Sequence, residues 1–143
     1  MNAFRTVALA FTATAALALP ARAEMVNLGA DLSARSEVPP NASSASGRAD
    51  IRLDTTSGNL TWTINYSGLT APLSAAHFHG PAAAGANAGV IVPIANAGAS
   101  APLTGMATLS PTQVADVLGG RWYVNIHTAN NPGGEIRGQV VRR

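Results

Sequence analysis

The sequence predicts an all-β domain, either a Greek-key or immunoglobulin-like sandwich or a flattened barrel, of about eight strands with one short helix. Three observations predict it. Clusters of Gly, Pro, Ser and Ala cut the chain after residue 23 into short blocks about ten residues apart. Within several blocks apolar and polar residues alternate, as a half-buried strand requires. Only the stretch 111–118 carries the start and stop signals of a helix.

The chain opens with Arg5, an apolar run over 7–19 interrupted only by Thr12 and Thr14, and then Pro20 before Ala21-Arg22-Ala23. That is the pattern of a secretory signal peptide cleaved after Ala23, and it predicts a periplasmic or secreted domain of residues 24–143. No later run approaches the roughly 20 apolar residues of a membrane-spanning helix. Cleavage removes Arg5 and Arg22, so nine basic residues become seven, against seven acidic ones. A neutral domain without lysine has no electrostatic footprint for nucleic acid. There is no cysteine, so neither a disulfide framework nor a thiolate metal site can form.

Candidate strands follow in order. The first is 26–33. Residues 50–54 and 60–66 flank the turn signal Thr56-Ser57-Gly58-Asn59 and read as a hairpin. In its second arm Trp62, Ile64 and Tyr66 share a face opposite Thr61, Thr63 and Asn65, so one side is buried. Further strands are expected at 74–79, 89–94, 103–109, 122–127 and 135–141. The helix at 111–118 has Ser110 as its cap, Pro111 at its first position, Gln113 to complete a capping box and Gly119-Gly120 as its stop. Val114, Val117 and Leu118 form its apolar stripe. Segments 39–47 and 81–89, rich in Ala, Ser, Gly and Asn, read as loops.

The three histidines lie in two of these strand-like blocks. In Ala76-His77-Phe78-His79, alternation puts His77 and His79 on one face and Ala76 and Phe78 on the other. In 122–127, Trp122, Val124 and Ile126 form the apolar face, with Tyr123, Asn125 and His127 opposite. If the two strands are neighbours with Phe78 and Ile126 both turned inward, all three imidazoles emerge on one outer surface. Glu135 and Arg137, flanking Ile136, would emerge there too. Three imidazoles suit copper or zinc, with Glu135 as a fourth ligand or, with Arg137, as an outer partner that fixes a ring. No other catalytic constellation is present: there is no Gly-x-Ser-x-Gly turn, no phosphate loop and no His-Glu-x-x-His.

Four blocks carry a resemblance: Leu32-Ser33-Ala34-Arg35-Ser36-Glu37-Val38-Pro39-Pro40, Ala75-Ala76-His77-Phe78-His79-Gly80-Pro81, Tyr123-Val124-Asn125-Ile126-His127-Thr128, and Asn131-Pro132-Gly133-Gly134-Glu135-Ile136-Arg137-Gly138-Gln139. In this order the chain resembles the chordin-type, or CHRD, domain family. The resemblance implies an extracellular or periplasmic β-sandwich and no generally assigned reaction. The order of His-x-His, a Gly-rich loop, the 120–127 block and the 133–138 block is also similar to the copper half of copper-zinc superoxide dismutase. That similarity implies His77, His79 and His127 as copper ligands and Arg137 as an arginine that attracts an anionic substrate. The bridging imidazole, the zinc ligands and the disulfide of that family have no counterpart, since 80–120 contains no His or Cys.

The expected function is therefore an exported metal-binding module. A metal-free interaction or adhesion domain and a copper redox enzyme of superoxide dismutase type are the alternatives, and no protein partner is specified.

Overall fold

The computed structural model of this protein describes residues 24–143, so the expected signal peptide lies outside the described residues. The strands are β1 (Met25–Ser33), β2 (Ser46–Asp54), β3 (Asn59–Ser67), β4 (Leu73–His79), β5 (Val90–Asn96), β6 (Leu103–Thr108), β7 (Tyr123–Thr128), β8 (Ile136–Gln139) and the short β9 (Val141–Arg142). One turn of 3-10 helix, Ala34–Ser36, follows β1, and the helix α1, Pro111–Leu118, separates β6 from β7.

Eight strands form a single antiparallel sheet in the order β5-β4-β7-β8-β1-β2-β3-β6, and β9 adds to β1. The terminal strands β5 and β6 lie against each other without pairing, so the sheet curls into a nearly closed barrel. Closure protects edges that an open sheet of this size would expose. The β2–β3 hairpin is held at its tip by Asp54, whose carboxylate accepts from the Thr56 and Ser57 amides at 2.9 and 3.2 Å. Gly58, at φ 73°, supplies the left-handed residue the turn needs.

Inward residues of every long strand meet in one core. Phe78 lies edge-on to Trp62, with ring centroids 5.2 Å apart, and is tilted against Trp122 at 6.0 Å. Leu60 and Ile64 are fully buried, as the alternation of the hairpin's second arm predicts, while Tyr66 is only partly covered. The helix has the capping box read from its sequence: Ser110 Oγ accepts from the Gln113 amide, and Gln113 Oε1 accepts from the Ser110 amide. Val117 is buried, and Val114 and Leu118 pack partly against the core.

Two expected elements differ. The strand expected over 135–141 is two strands, because after Gln139 the chain leaves β7 and pairs with β1 instead. Val140 sits at the crossover, fully buried, its amide donating to the Trp122 carbonyl at 2.9 Å. The expected loop 39–47 gives its last two residues to β2, where Ser46 and Gly47 pair with Ser67 and Tyr66.

Candidate metal centre

Strand β4 lies between β5 and β7. Its pairing with β7 sets Ala76 opposite Ile126 and Phe78 opposite Val124, and all four are fully buried. The intervening positions must then face outward: Ala75 opposite His127, His77 opposite Asn125 and His79 opposite Tyr123. A slip of one residue would reverse every one of these faces, so the core pairs fix the outer cluster.

On that outer surface the three imidazoles converge. Ring centroids are 5.5 Å apart for His77 and His79, 5.2 Å for His77 and His127, and 5.9 Å for His79 and His127. One ligand nitrogen from each lies within 4.8 Å of the others. The carbonyls around the rings decide which nitrogen is free. A carbonyl can only accept, so His79 Nδ1, 3.0 Å from the Ala88 oxygen, and His127 Nδ1, 3.0 Å from the Pro132 oxygen, each carry a proton and donate it. Their Nε2 atoms are left with lone pairs. The Nε2 of His79 is buried and has no hydrogen-bond partner. That of His127 lies 3.3 Å from His77 Nδ1. The lone pairs turned into the cluster are thus those of His79 Nε2 and His127 Nε2; His77 Nδ1 donates a hydrogen bond to His127 Nε2 and becomes a third ligand atom when the ring carries its proton on Nε2 instead.

Burial holds all three rings below the ordinary histidine range. At His79 and His127 the carbonyl hydrogen bond opposes that fall, and positive charge on neighbouring groups adds to it. Neutral imidazole is the form that binds a metal ion.

The roof over this surface is the 80–89 segment. Besides the Ala88 carbonyl that accepts from His79, the Ala88 amide donates to Tyr123 Oη at 3.0 Å, and Gly80 donates to the Gly89 carbonyl at 3.2 Å. Arg137, opposite Asn125 in β8, donates to Asn87 Oδ1 at 3.0 Å and to the Ala86 carbonyl at 2.6 Å. Its guanidinium carbon lies 3.4 Å from the centre of the Tyr123 ring, whose other neighbour is the parallel His79 ring at 4.9 Å. Tyr123 is stacked between β4 and β8 partners, which fixes the plane of His79. Arg137 is only 2 % exposed and committed to the roof. It shares the outer surface as the alternation predicts, but the solvent exposure that an anion-attracting role implies is absent.

Glu135 does not join the cluster. It precedes β8, so strand alternation does not govern it, and its carboxylate turns to Thr128, Thr70 and Ser43. It accepts from Thr128 Oγ1 at 2.6 Å, Thr70 Oγ1 at 2.9 Å, the Thr70 amide at 2.7 Å and Ser43 Oγ at 2.7 Å. Burial pushes this carboxyl up, but the bonds from Thr128, Ser43 and Thr70 outweigh it and hold Glu135 below the ordinary range. Every acceptor position is engaged, which leaves none for a metal ion.

Sequence reading missed Glu37. It follows the 3-10 turn, is 6 % exposed, and has an Oε1 without a hydrogen-bond partner. Burial raises its carboxyl to about 7 against the opposing pull of the Arg137 charge and the Asn125 amide. It sits in a block without strand periodicity, so only its place in the Leu32–Pro40 motif marks it out.

An eight-stranded, nearly closed antiparallel barrel with a three-His cluster outside its β4–β7 pair is the class these features define. The model of the CHRD domain matches residues 28–140, and the chain belongs to that family. No curated protein and no solved structure matches it.

Proposed function

We propose that this CHRD domain is an exported metal-binding module that holds one copper ion, or with lower preference zinc, through His77 Nδ1, His79 Nε2 and His127 Nε2. One observation carries the reading. Two of the three rings have their Nδ1 protons fixed by backbone carbonyls, so their lone pairs turn to a common space, where His79 Nε2 is buried with nothing to bond. A buried acceptor left without a partner costs about 1–3 kcal/mol, a cost that a bound cation removes. All-nitrogen ligation without carboxylate or thiolate favours copper among the divalent ions of the first transition row. The signal-peptide pattern over 1–23 supports a periplasmic or secreted setting.

Purified protein beginning at Glu24 is expected to take up one equivalent of Cu2+. His79→Ala and His127→Ala should each lower its affinity at least a hundredfold while the β-sheet circular dichroism is kept. Wild-type protein that takes up neither copper nor zinc in equilibrium dialysis would sink the proposal.

A further inference from the structure

The roof over the histidines is built almost wholly from residues whose side chains carry no polar group. Between Gly80 and Val90 the chain is Pro, Ala and Gly except at Asn87, which therefore owns the only side chain of that segment able to make a hydrogen bond. Both ends of its amide are used. Oδ1 accepts from Arg137 at 3.0 Å, and Nδ2 donates to the Val38 carbonyl at 3.2 Å. Val38 lies 49 residues before Asn87 and Arg137 lies 50 after it, so one side chain ties the roof both to the segment behind the 3-10 turn and to β8.

The state of Arg137 gives this tie its weight. The residue is buried and, among the described residues, forms no ion pair. A buried guanidinium needs acceptors for its N–H groups, and the roof supplies two, Asn87 Oδ1 and the Ala86 carbonyl. Loss of the first leaves a charged donor unmatched, and the arginine or the roof must shift to correct it. Either shift reaches His79. The residue after Asn87 carries the carbonyl that accepts from His79 Nδ1, and Arg137 stacks on the Tyr123 ring that stacks on His79. The Tyr123 hydroxyl also holds Ala88, but Tyr123 is itself packed against Arg137, so both supports lean on one guanidinium.

We infer that Asn87 is a positioning residue of the cluster: by fastening the roof to Arg137 and Val38 it keeps the Ala88 carbonyl on His79 Nδ1, and so keeps the lone pair of His79 Nε2 free for the ion. The inference rests on the metal reading above. A neutral imidazole carries one proton, and the hydrogen bond at one nitrogen decides which nitrogen is left to bind. With the carbonyl displaced, the proton is free to pass to Nε2, and the ring then offers the cluster a donor in place of a lone pair. His127 is an internal reference, because its Nδ1 is held by the Pro132 carbonyl, outside the roof.

Long-range 15N–1H spectra of metal-free protein labelled with 15N-histidine read the protonated nitrogen of each ring. At pH 7.5 wild type should show His79 and His127 both protonated at Nδ1. In Asn87→Ala, His79 should pass to a mixture of the two tautomers while His127 is unchanged, and Cu2+ affinity should fall about tenfold. Asn87 is exposed and outside the core, so the fold survives its truncation. Asn87→Asp keeps an acceptor for Arg137 and should restore the wild-type state of His79. A His79 that stays protonated at Nδ1 in Asn87→Ala overturns the inference. Equal disturbance of His127 overturns it too, since it marks a general loosening. So does an altered His79 tautomer with unchanged copper affinity. Wild type that takes up no copper defeats the metal reading, and the His79 spectra, which need no metal, still decide whether Asn87 sets that ring.

Discussion

Glu37 and Glu135 are both buried, yet they are held in opposite states. Glu135 is given four hydrogen bonds from Thr128, Thr70 and Ser43 and is kept ionised. Glu37 has one oxygen, Oε1, without a hydrogen-bond partner, and burial raises its carboxyl to about 7. Burial alone therefore does not decide what a carboxylate does here. The donors around it do. A saturated acid fastens chain segments together, and Asn41 strengthens that fastening by donating to the Gly134 and Glu135 carbonyls at 3.3 and 3.0 Å. An unsatisfied acid can still change state.

The largest effect is expected at the saturated site. Glu135→Ala removes one acceptor group from four donors and should cost about 3–5 kcal/mol in urea unfolding, with little change in metal affinity for whatever folds. Comparable loss of copper binding would erase the distinction between the two acids.

The pH dependence of metal-free protein is the next test, and the two acids act with opposite signs. Because the folded Glu37 carboxyl is raised from 4.5 to about 7, its contribution is fully present below about 4.5 and is lost as pH rises towards 7. That part of the stability, up to about 3 kcal/mol, should vanish from the profile of Glu37→Gln. Glu135 is held below 4.5, so its contribution is present above that value and is lost as the solution is made more acid. Urea unfolding from pH 3 to 8 on wild type and Glu37→Gln separates the two. Parallel profiles would show that Glu37 is not protonated in the fold.

A smaller change is expected from Tyr123→Phe. The ring and its stacking on His79 and Arg137 stay, but the hydroxyl that bonds the Ala88 amide and carbonyl is lost. Stability should fall by about 1 kcal/mol and copper affinity a few-fold. An effect as large as that of His127→Ala would mean that the hydroxyl itself is a ligand.

Much of this was legible in the chain because it is local. The hairpin turn at Asp54–Asn59, the cap at Ser110 and the alternation that sets His77 apart from Phe78 each depend on residues a few positions apart. The meeting of His127 with His77 could be stated only as a condition, since β4 and β7 are separated by β5, β6 and α1. Glu135 was placed on the outer face by carrying strand alternation one residue beyond the strand, where Gly134 had already broken it. Glu37 carried no local signal, because its neighbours Asn125, Gly134 and Arg137 lie about a hundred residues away. Desolvation and partner geometry of that kind arise only when the barrel closes.

The roof over the histidines has one more consequence. What orients His79 is the carbonyl of residue 88, and what receives Arg137 includes the carbonyl of residue 86. Every amino acid possesses that atom. The information that aims the metal-facing nitrogen is therefore stored in the path of the main chain and not in the identities of Ala86 and Ala88. In a library randomised at these two positions, most members should keep the site. Proline at 88 should be depleted, since it lacks the amide that meets Tyr123. A segment of apparently featureless composition can in this way be tolerant of spelling and strict about shape.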